Sequence, residues 1–320
     1  MEPEAIPTPA IDNTDCQAAS AVLMIRPWAF ESNPQTAESN TFQQQNSGSS
    51  IAIATQARKE VDALAAQLSE YGVKVHLFEG RSEGDAPDEC FPNNWISTHA
   101  DGTVVLYPML AANRRRERRP ELLEQLSDSH NYRVRRIVDL STLEDREFYL
   151  EGTGSAVIDH VNRVAYACIS PRTSSVALDA FAEKLGCEVV SFSATTQSGA
   201  PIYHTNVMLS IGQQFVVICS AAVADPKQRA AIIERLQSSG REVINISPAQ
   251  MHTFAANCLE LRGSEPIIVL SERALQALDP EQQYRLRIYG RPVSADLSTI
   301  ETHGGGSARC LLAEILLPND

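Results

Sequence analysis

The chain has 320 residues and is 43% hydrophobic, enough for a soluble protein with a sizeable core. Its net charge of −13 and pI near 5.0 argue against nucleic acid and anionic membrane surfaces as partners. No run of 18 apolar residues is present, so no transmembrane helix is expected.

Residues 1–19 read as a disordered tail, and the acidic opening Met1-Glu2-Pro3-Glu4-Ala5 lacks the regions of a signal peptide. Residues 20–320 are expected to form a single catalytic domain. Ala21 to Ile25 is a fully apolar strand ending at Arg26-Pro27. Residues 31–50 are polar, and a loop of that length is usually functional or disordered. A helix is predicted from Ile51 to Tyr71, with apolar Ile51, Ala54, Ala57, Val61, Leu64, Leu68 and Tyr71 near helical spacing. Gly72 stops it, and Val73 to Phe78 is a strand. Trp95–Ser97 and Val104–Tyr107 pair across Asp101-Gly102, a strong hairpin signal. A short helix from Pro120 and a strand from Tyr132 to Val138 follow. The same order then recurs. Ser155–Ile158 and Val164–Ile169 form a hairpin, followed by the helix Ser175–Leu185 and the strand Glu188–Phe192. Asn206–Ser210 pairs with Phe215–Cys219, then comes a helix opened by Asp225-Pro226 and the strand Glu242–Ile246. Asn257–Leu261 pairs with Ile267–Leu270, then come two helical segments and a strand near Arg291–Val293.

The four hairpins begin near residues 95, 155, 206 and 257, a spacing of about 50–60 residues, in the range of repeat architectures. A fifth unit is split. Its first strand is Cys310–Leu317, its second Val22–Ile25, its helix 51–71 and its last strand 73–78. Joining the termini in one unit closes a ring and removes the sheet edges. The competing reading is an α/β sandwich with accidental regularity.

Polar clusters sit just before each first strand: Phe91-Pro92-Asn93-Asn94, Glu151-Gly152-Thr153-Gly154, Tyr203-His204-Thr205-Asn206, Asn257, and Gly304-Gly305-Gly306 ahead of Cys310. In a ring of repeats, equivalent positions converge on the axis. Cysteine, histidine and a carboxylate are the parts of a thiol-nucleophile site. Taken singly each is bland. Cys310 would be a small buried hydrophobe, His204 a structural histidine and Glu151 a turn cap. The seven cysteines, at positions 16, 90, 168, 187, 219, 258 and 310, are odd in number with no CxxC pair. That suits a reducing cytoplasm and predicts no zinc site.

These motifs, in this order from Arg26 to Cys310, resemble the guanidino-group-modifying enzymes of the pentein superfamily. That superfamily includes arginine deiminases, dimethylarginine hydrolases and amidinotransferases. The resemblance implies a five-bladed, pseudo-symmetric α/β-propeller, its ring closed by the N- and C-terminal strands. It implies Cys310 as nucleophile, His204 as general acid/base and Glu151 as the orienting carboxylate, with no metal or organic cofactor. Arg114 and Arg172 resemble family arginines that bind a substrate α-carboxylate, which suits the planar guanidinium fork. Otherwise the run Arg114 to Arg119 reads as a solvated charged face. The Gly304–Gly306 loop is a candidate source of backbone donors for a tetrahedral oxygen.

One departure from the arginine deiminases is informative: Asn94 and Asn206 stand where those enzymes carry aspartates. An amide donates as well as accepts, whereas a guanidinium offers only donors. A neutral ureido group offers both, so citrulline is favoured, and the chain looks similar to citrulline-degrading hydrolases. The expected products are ornithine, ammonia and carbon dioxide, through an S-carbamoyl-type intermediate. The rivals are arginine deiminase, dimethylarginine hydrolase or amidinotransferase on the same scaffold, and a non-enzymatic propeller that binds proteins. The expected partner is a small amino-acid substrate, with a homo-oligomer left open.

Overall fold

The computed structural model describes residues 16–45 and 48–319. Most of the expected tail, residues 1–15, lies outside the described residues. Residues 16–19 do not fit that expectation. Gln17 Nε2 donates to Ile158 O at 2.8 Å, and Ala18 and Ala19 are buried.

Strand β1 (Ala21–Arg26) precedes the helix Ser50–Glu70 and β2 (Lys74–Glu79). The buried seam of that helix is Ile53, Ala57, Val61, Leu64 and Leu68, while Ile51 is exposed. Four units of like plan follow: β3 (Ile96–Thr98), β4 (Thr103–Leu106) and β5 (Arg136–Asp139); β6 (Ala156–Asp159), β7 (Val164–Cys168) and β8 (Glu188–Phe192); β9 (Leu209–Ile211), β10 (Phe215–Ile218) and β11 (Glu242–Asn245); β12 (Leu259–Arg262), β13 (Pro266–Ser271) and β14 (Arg291–Ala295). The last strand is β15 (Ala313–Glu314).

These strands form five three-stranded sheets. In each, the middle strand is antiparallel to one neighbour and parallel to the other. An antiparallel pair needs only a tight turn, whereas a parallel pair needs a crossover, and a helix lies between the middle and last strand of every unit. Local chemistry sets the helix ends. Ser174 Oγ accepts from Ala177 N and Gly186 is left-handed at the far end, bounding Ser175–Leu185 as predicted. Asp225-Pro226 opens Pro226–Ser238, and Asp279 forms a capping box with Gln282 to open Pro280–Tyr289.

The fifth sheet joins the two ends of the chain. Leu23 of β1 pairs with Ala313 of β15 on one side and with His76 of β2 on the other. First strands of neighbouring sheets adjoin: β3 lies beside β15, β6 beside β9 and β9 beside β12. Arg262 N donates to Ala19 O at 2.8 Å, linking the fourth sheet to the segment before β1. Among the described residues no helix is long and apolar enough to cross a membrane.

The C-terminal segment differs from its predicted form. Cys310–Leu317 is not one strand: Ala308–Leu311 is a 3₁₀ turn and the ladder is only Ala313–Glu314. An apolar run reads as a strand in either case, because both forms bury it. Leu311, Leu312, Ile315, Leu316 and Leu317 are all at most 4% exposed. Fully burying such a side chain is worth about 1.5–3 kcal/mol, so the five together rival the typical total stability of about 5–15 kcal/mol. Deleting residues 310–320 is therefore expected to abolish the cooperative thermal transition, as read by circular dichroism. A truncated chain melting like the full one would break the assignment of β15.

Candidate active site

Helical turns carry the candidate residues, each just ahead of a sheet's first strand. Asn94 ends the turn Pro92–Asn94 before β3, and Glu151 immediately precedes Gly152–Ser155, without a side-chain capping bond, before β6. His204 precedes the turn Thr205–Val207, which contains Asn206, before β9. Cys310 lies in Ala308–Leu311 before β15, its N–H on Ser307 O at 2.9 Å. Side chains from different units are thus brought to one place.

Glu151 is the hub and is completely buried. Its Oε2 accepts from His204 Nε2 at 2.8 Å and lies 3.4 Å from both Arg114 Nη1 and Arg172 Nη1. Its Oε1 accepts from Leu110 N at 3.1 Å. Burial opposes its ionisation, but Arg172, His204 and Arg114 outweigh burial and hold its carboxyl well below the usual range. An ionised carboxylate only accepts, so His204 carries its proton on Nε2 and leaves Nδ1 as the basic nitrogen. Burial lowers His204 to about 4 despite Glu151, with Arg172 and Arg114 adding to the effect. Its ring is therefore neutral near pH 7. Gly154 makes this packing possible, since a Cβ there would lie 2.4 Å from Asn94 Nδ2 and 2.8 Å from His204 Nδ1.

Cys310 is 3% exposed, and two amides aim at its sulfur. Asn206 Nδ2 lies 3.4 Å from Sγ and Asn257 Nδ2 lies 3.3 Å from it. Asn206 Oδ1 is buried without a hydrogen-bond partner. Cys310, His204, Asn94, Arg114 and Arg172 line one cavity. The space open to the centre of a water-sized sphere is only about 10 Å³, room for one water and not for an amino acid.

Residues 26–317 match the family described as N,N dimethylarginine dimethylhydrolase, eukaryotic. The chain belongs to that family. This places it in the guanidino-modifying pentein superfamily. No curated protein matches the chain. Among solved structures it is similar to ArgZ, an arginine dihydrolase from the ornithine-ammonia cycle in cyanobacteria, at 18% identity and a TM-score of 0.71. It covers 94% of itself and 41% of that chain. Against the N-terminal domain of ArgZ bound to product it covers 93% of itself and 99% of that domain, at 19% identity and a TM-score of 0.70. AgrE in a binary complex with L-arginine is similar at 20% identity and a TM-score of 0.72, covering 94% of this chain and 40% of that one. A dimethylarginine dimethylaminohydrolase adduct with S-methyl-L-thiocitrulline is similar at 15% identity and a TM-score of 0.63, over 93% of this chain and 100% of that one. At these identities the likeness is one of fold.

In this dimethylhydrolase-family chain the site holds more than its motif residues. Asp88 lines the cavity, with Oδ2 accepting from Asn33 Nδ2 at 2.7 Å and Oδ1 unpartnered. Its Oδ2 is 3.6 Å from Arg114 Nε. Burial raises its carboxyl, with Arg114 opposing. Glu117 binds Arg114 with both oxygens, at 2.8 and 2.9 Å, and both residues are at most 2% exposed. Arg114 and Glu117 therefore do not belong to a solvated face. Arg115 and Arg116, on the same turn, are 34% and 58% exposed at the side chain. The polar segment after residue 30 covers the site. Arg172 donates to Thr36 O and Ser39 Oγ, Asn40 Nδ2 to Gly304 O at 3.1 Å, and Gln44 N to Thr302 O at 2.8 Å. Phe42 anchors it against Tyr203 and Phe254. None of these residues carries a periodic signal; only the length of the polar stretch hinted at a role. The glycine loop differs from expectation at Gly305, whose N–H is occupied by Glu301 O at 3.1 Å.

The depressed histidine makes a pH prediction. An unfolded histidine titrates near 6.5 and folded His204 near 4, so between these values the unfolded chain binds more protons. The stability owed to a neutral His204 is intact above about pH 6.5 and is lost as pH falls toward about 4. His204→Gln should flatten that part of the melting-temperature curve against pH. An unchanged slope between wild type and variant would show that His204 titrates normally.

Proposed function

We propose that the protein hydrolyses the ureido C–N bond of citrulline, giving ornithine, ammonia and carbon dioxide. The observation that carries this is the pair Asn94 and Asn206, neutral amides at the cavity and at Cys310, with Asn206 Oδ1 awaiting a donor. A ureido carbonyl takes an amide N–H, and a ureido N–H suits Asn206 Oδ1. Cys310 Sγ attacks the ureido carbon while its proton passes to His204 Nδ1. The imidazolium protonates the departing nitrogen, and Glu151 stabilises the charged ring through Nε2. His204 then takes a proton from water as that water attacks the S-carbamoyl carbon. The C–S bond breaks, the thiol regains a proton from His204, and the carbamic acid released breaks its remaining C–N bond to give amine and carbon dioxide. Water is the co-substrate, and the atoms balance without an oxidant or metal.

Arg114 and Arg172 hold the substrate's α-carboxylate in this proposal, and the free Asp88 oxygen beside Arg114 suits its α-ammonium. The segment over the site must lift for an amino acid to enter, given the small cavity. Asp88 also favours a second reading, a guanidinium substrate, because an unpartnered carboxylate oxygen suits a cationic N–H donor. A panel of citrulline, arginine, methylated arginines and agmatine, assayed for ammonia and ureido product, separates the two. Within it, Arg172→Ala should raise KM for citrulline by the loss of one charge-assisted pair, about 1.5–3 kcal/mol. Agmatine, which lacks the carboxylate, should be poor with the wild type and lose little more in the variant. Equal losses for both compounds would remove the carboxylate from the assignment.

We further infer a closed five-bladed propeller in one domain spanning residues 20–320. Five sheets of like order and the union of both chain ends in one sheet support this. All seven cysteines are unpaired, in keeping with a cytoplasmic protein.

A further inference from the structure

Asn257 is at the start of the fourth unit, just ahead of β12, and is completely buried. Its amide is held from both ends. Oδ1 accepts from Arg309 N at 3.1 Å, the residue immediately before Cys310. Nδ2 donates to Asn206 O at 3.1 Å and points at Cys310 Sγ from 3.3 Å. Oδ1 also lies 3.6 Å from Sγ, where it can accept from the thiol, and its bond to Arg309 N keeps the amide from turning that oxygen any nearer. The nearer Asn257 atom at Sγ is therefore the donor Nδ2, at 3.3 Å, and a second donor, Asn206 Nδ2, faces the sulfur at 3.4 Å.

A donor fixed at a sulfur favours its charged form over its neutral one, because a thiolate accepts hydrogen bonds far better than a thiol. Two other buried cysteines, Cys168 and Cys258, have no side-chain amide at the sulfur among the described residues. Cys168 is pushed up to about 12 and Cys258 up to about 11, chiefly by burial. Each has a hydroxyl neighbour, Thr205 Oγ1 and Ser210 Oγ respectively, and its own backbone N–H, but among the described residues no side-chain amide.

We propose that Asn257 is a positioning residue for the nucleophile. It holds the Cys310 turn through Arg309 N and, with Asn206, forms a two-amide cradle that stabilises the thiolate. This rests on Cys310 being the nucleophile, and the experiment distinguishes the two claims.

The probe is iodoacetamide, with the rate of Cys310 modification followed by peptide mass spectrometry from about pH 6 to pH 10. In the wild type, Cys310 modification should track loss of activity; if activity survives its complete modification, the nucleophile assignment fails, and the cradle with it. Asn257→Ala should slow modification of Cys310 about tenfold or more near neutral pH. The deficit should shrink toward the alkaline end, where the thiol ionises unaided. A sulfur merely displaced from its place would show the same deficit at every pH. Asn257→Asp keeps the Oδ1 acceptor for Arg309 N but replaces the donor with an oxygen, so it should also slow modification near neutral pH. If the alanine variant does not fold, the aspartate variant carries the test. Wild-type rates across the range, or a deficit independent of pH, overturn the cradle while leaving the nucleophile in place.

Discussion

Cys310→Ser is expected to lose turnover by about 10³-fold or more and to keep its fold. The loss follows from the chemistry of the group. A serine hydroxyl is far harder to ionise than a thiol and is the weaker nucleophile near neutral pH. The fold is retained because the substitution is nearly isosteric. The turn Ala308–Leu311 is held by the backbone bond from Cys310 N to Ser307 O, which does not involve the side chain. A hydroxyl can also accept from the Nδ2 groups of Asn206 and Asn257, so no buried donor is orphaned. The melting temperature should stay within about 3 °C, the shift that roughly 1 kcal/mol produces in a chain of this size. Ammonia release from citrulline is the measurement. Turnover within tenfold of wild type would remove Cys310 from the chemistry.

The plan of five like units was legible because its punctuation is local. Asp101-Gly102, Gly186, Asp225-Pro226 and Asp279-Pro280 mark turns and helix starts by backbone chemistry that tertiary context rarely overrides. The convergence of Asn94, Glu151, His204 and Cys310 was legible for a related reason: each occupies the same place in its unit. What lay outside those regularities was lost. Leu311 to Leu317 read as one strand, since an apolar run does not reveal whether its backbone is laddered or coiled. Ile51 read as part of the buried seam because a helical stripe fixes a face and not its end. Glu117 read as solvated because a charge in a charged run normally is; its burial depends on Arg114 turning inward to meet it. Asp88 and Asn33 come from separate segments, and the hydrogen bond joining them does not show in spacing.

Citrulline is expected to be turned over and arginine to be at least a hundredfold slower in kcat/KM, roughly 2.7 kcal/mol of discrimination. A guanidinium entering beside Cys310 meets the donors Asn206 Nδ2 and Asn257 Nδ2, and Arg114 and Arg172 already place two cations at Glu151. Desolvating a third without a carboxylate of its own is unfavourable. A ureido group brings no charge and can satisfy both kinds of amide atom. Asn94→Asp with Asn206→Asp should shift the preference toward arginine, but the structure limits how far. An aspartate at 94 retains the acceptor that meets Arg114 Nη2 at 3.0 Å, yet turns a second oxygen toward Asn93 Oδ1, where Nδ2 now donates at 3.0 Å. An aspartate at 206 replaces the donor at Cys310 Sγ with a negative charge, which disfavours the thiolate. The double variant should therefore gain affinity for arginine, seen as a lower KM, while its kcat stays below that of the wild type on citrulline. Competent arginine hydrolysis by the wild type with citrulline inert would overturn the ureido assignment and transfer recognition of the cation to Asp88, the one carboxylate in the cavity with an unpartnered oxygen.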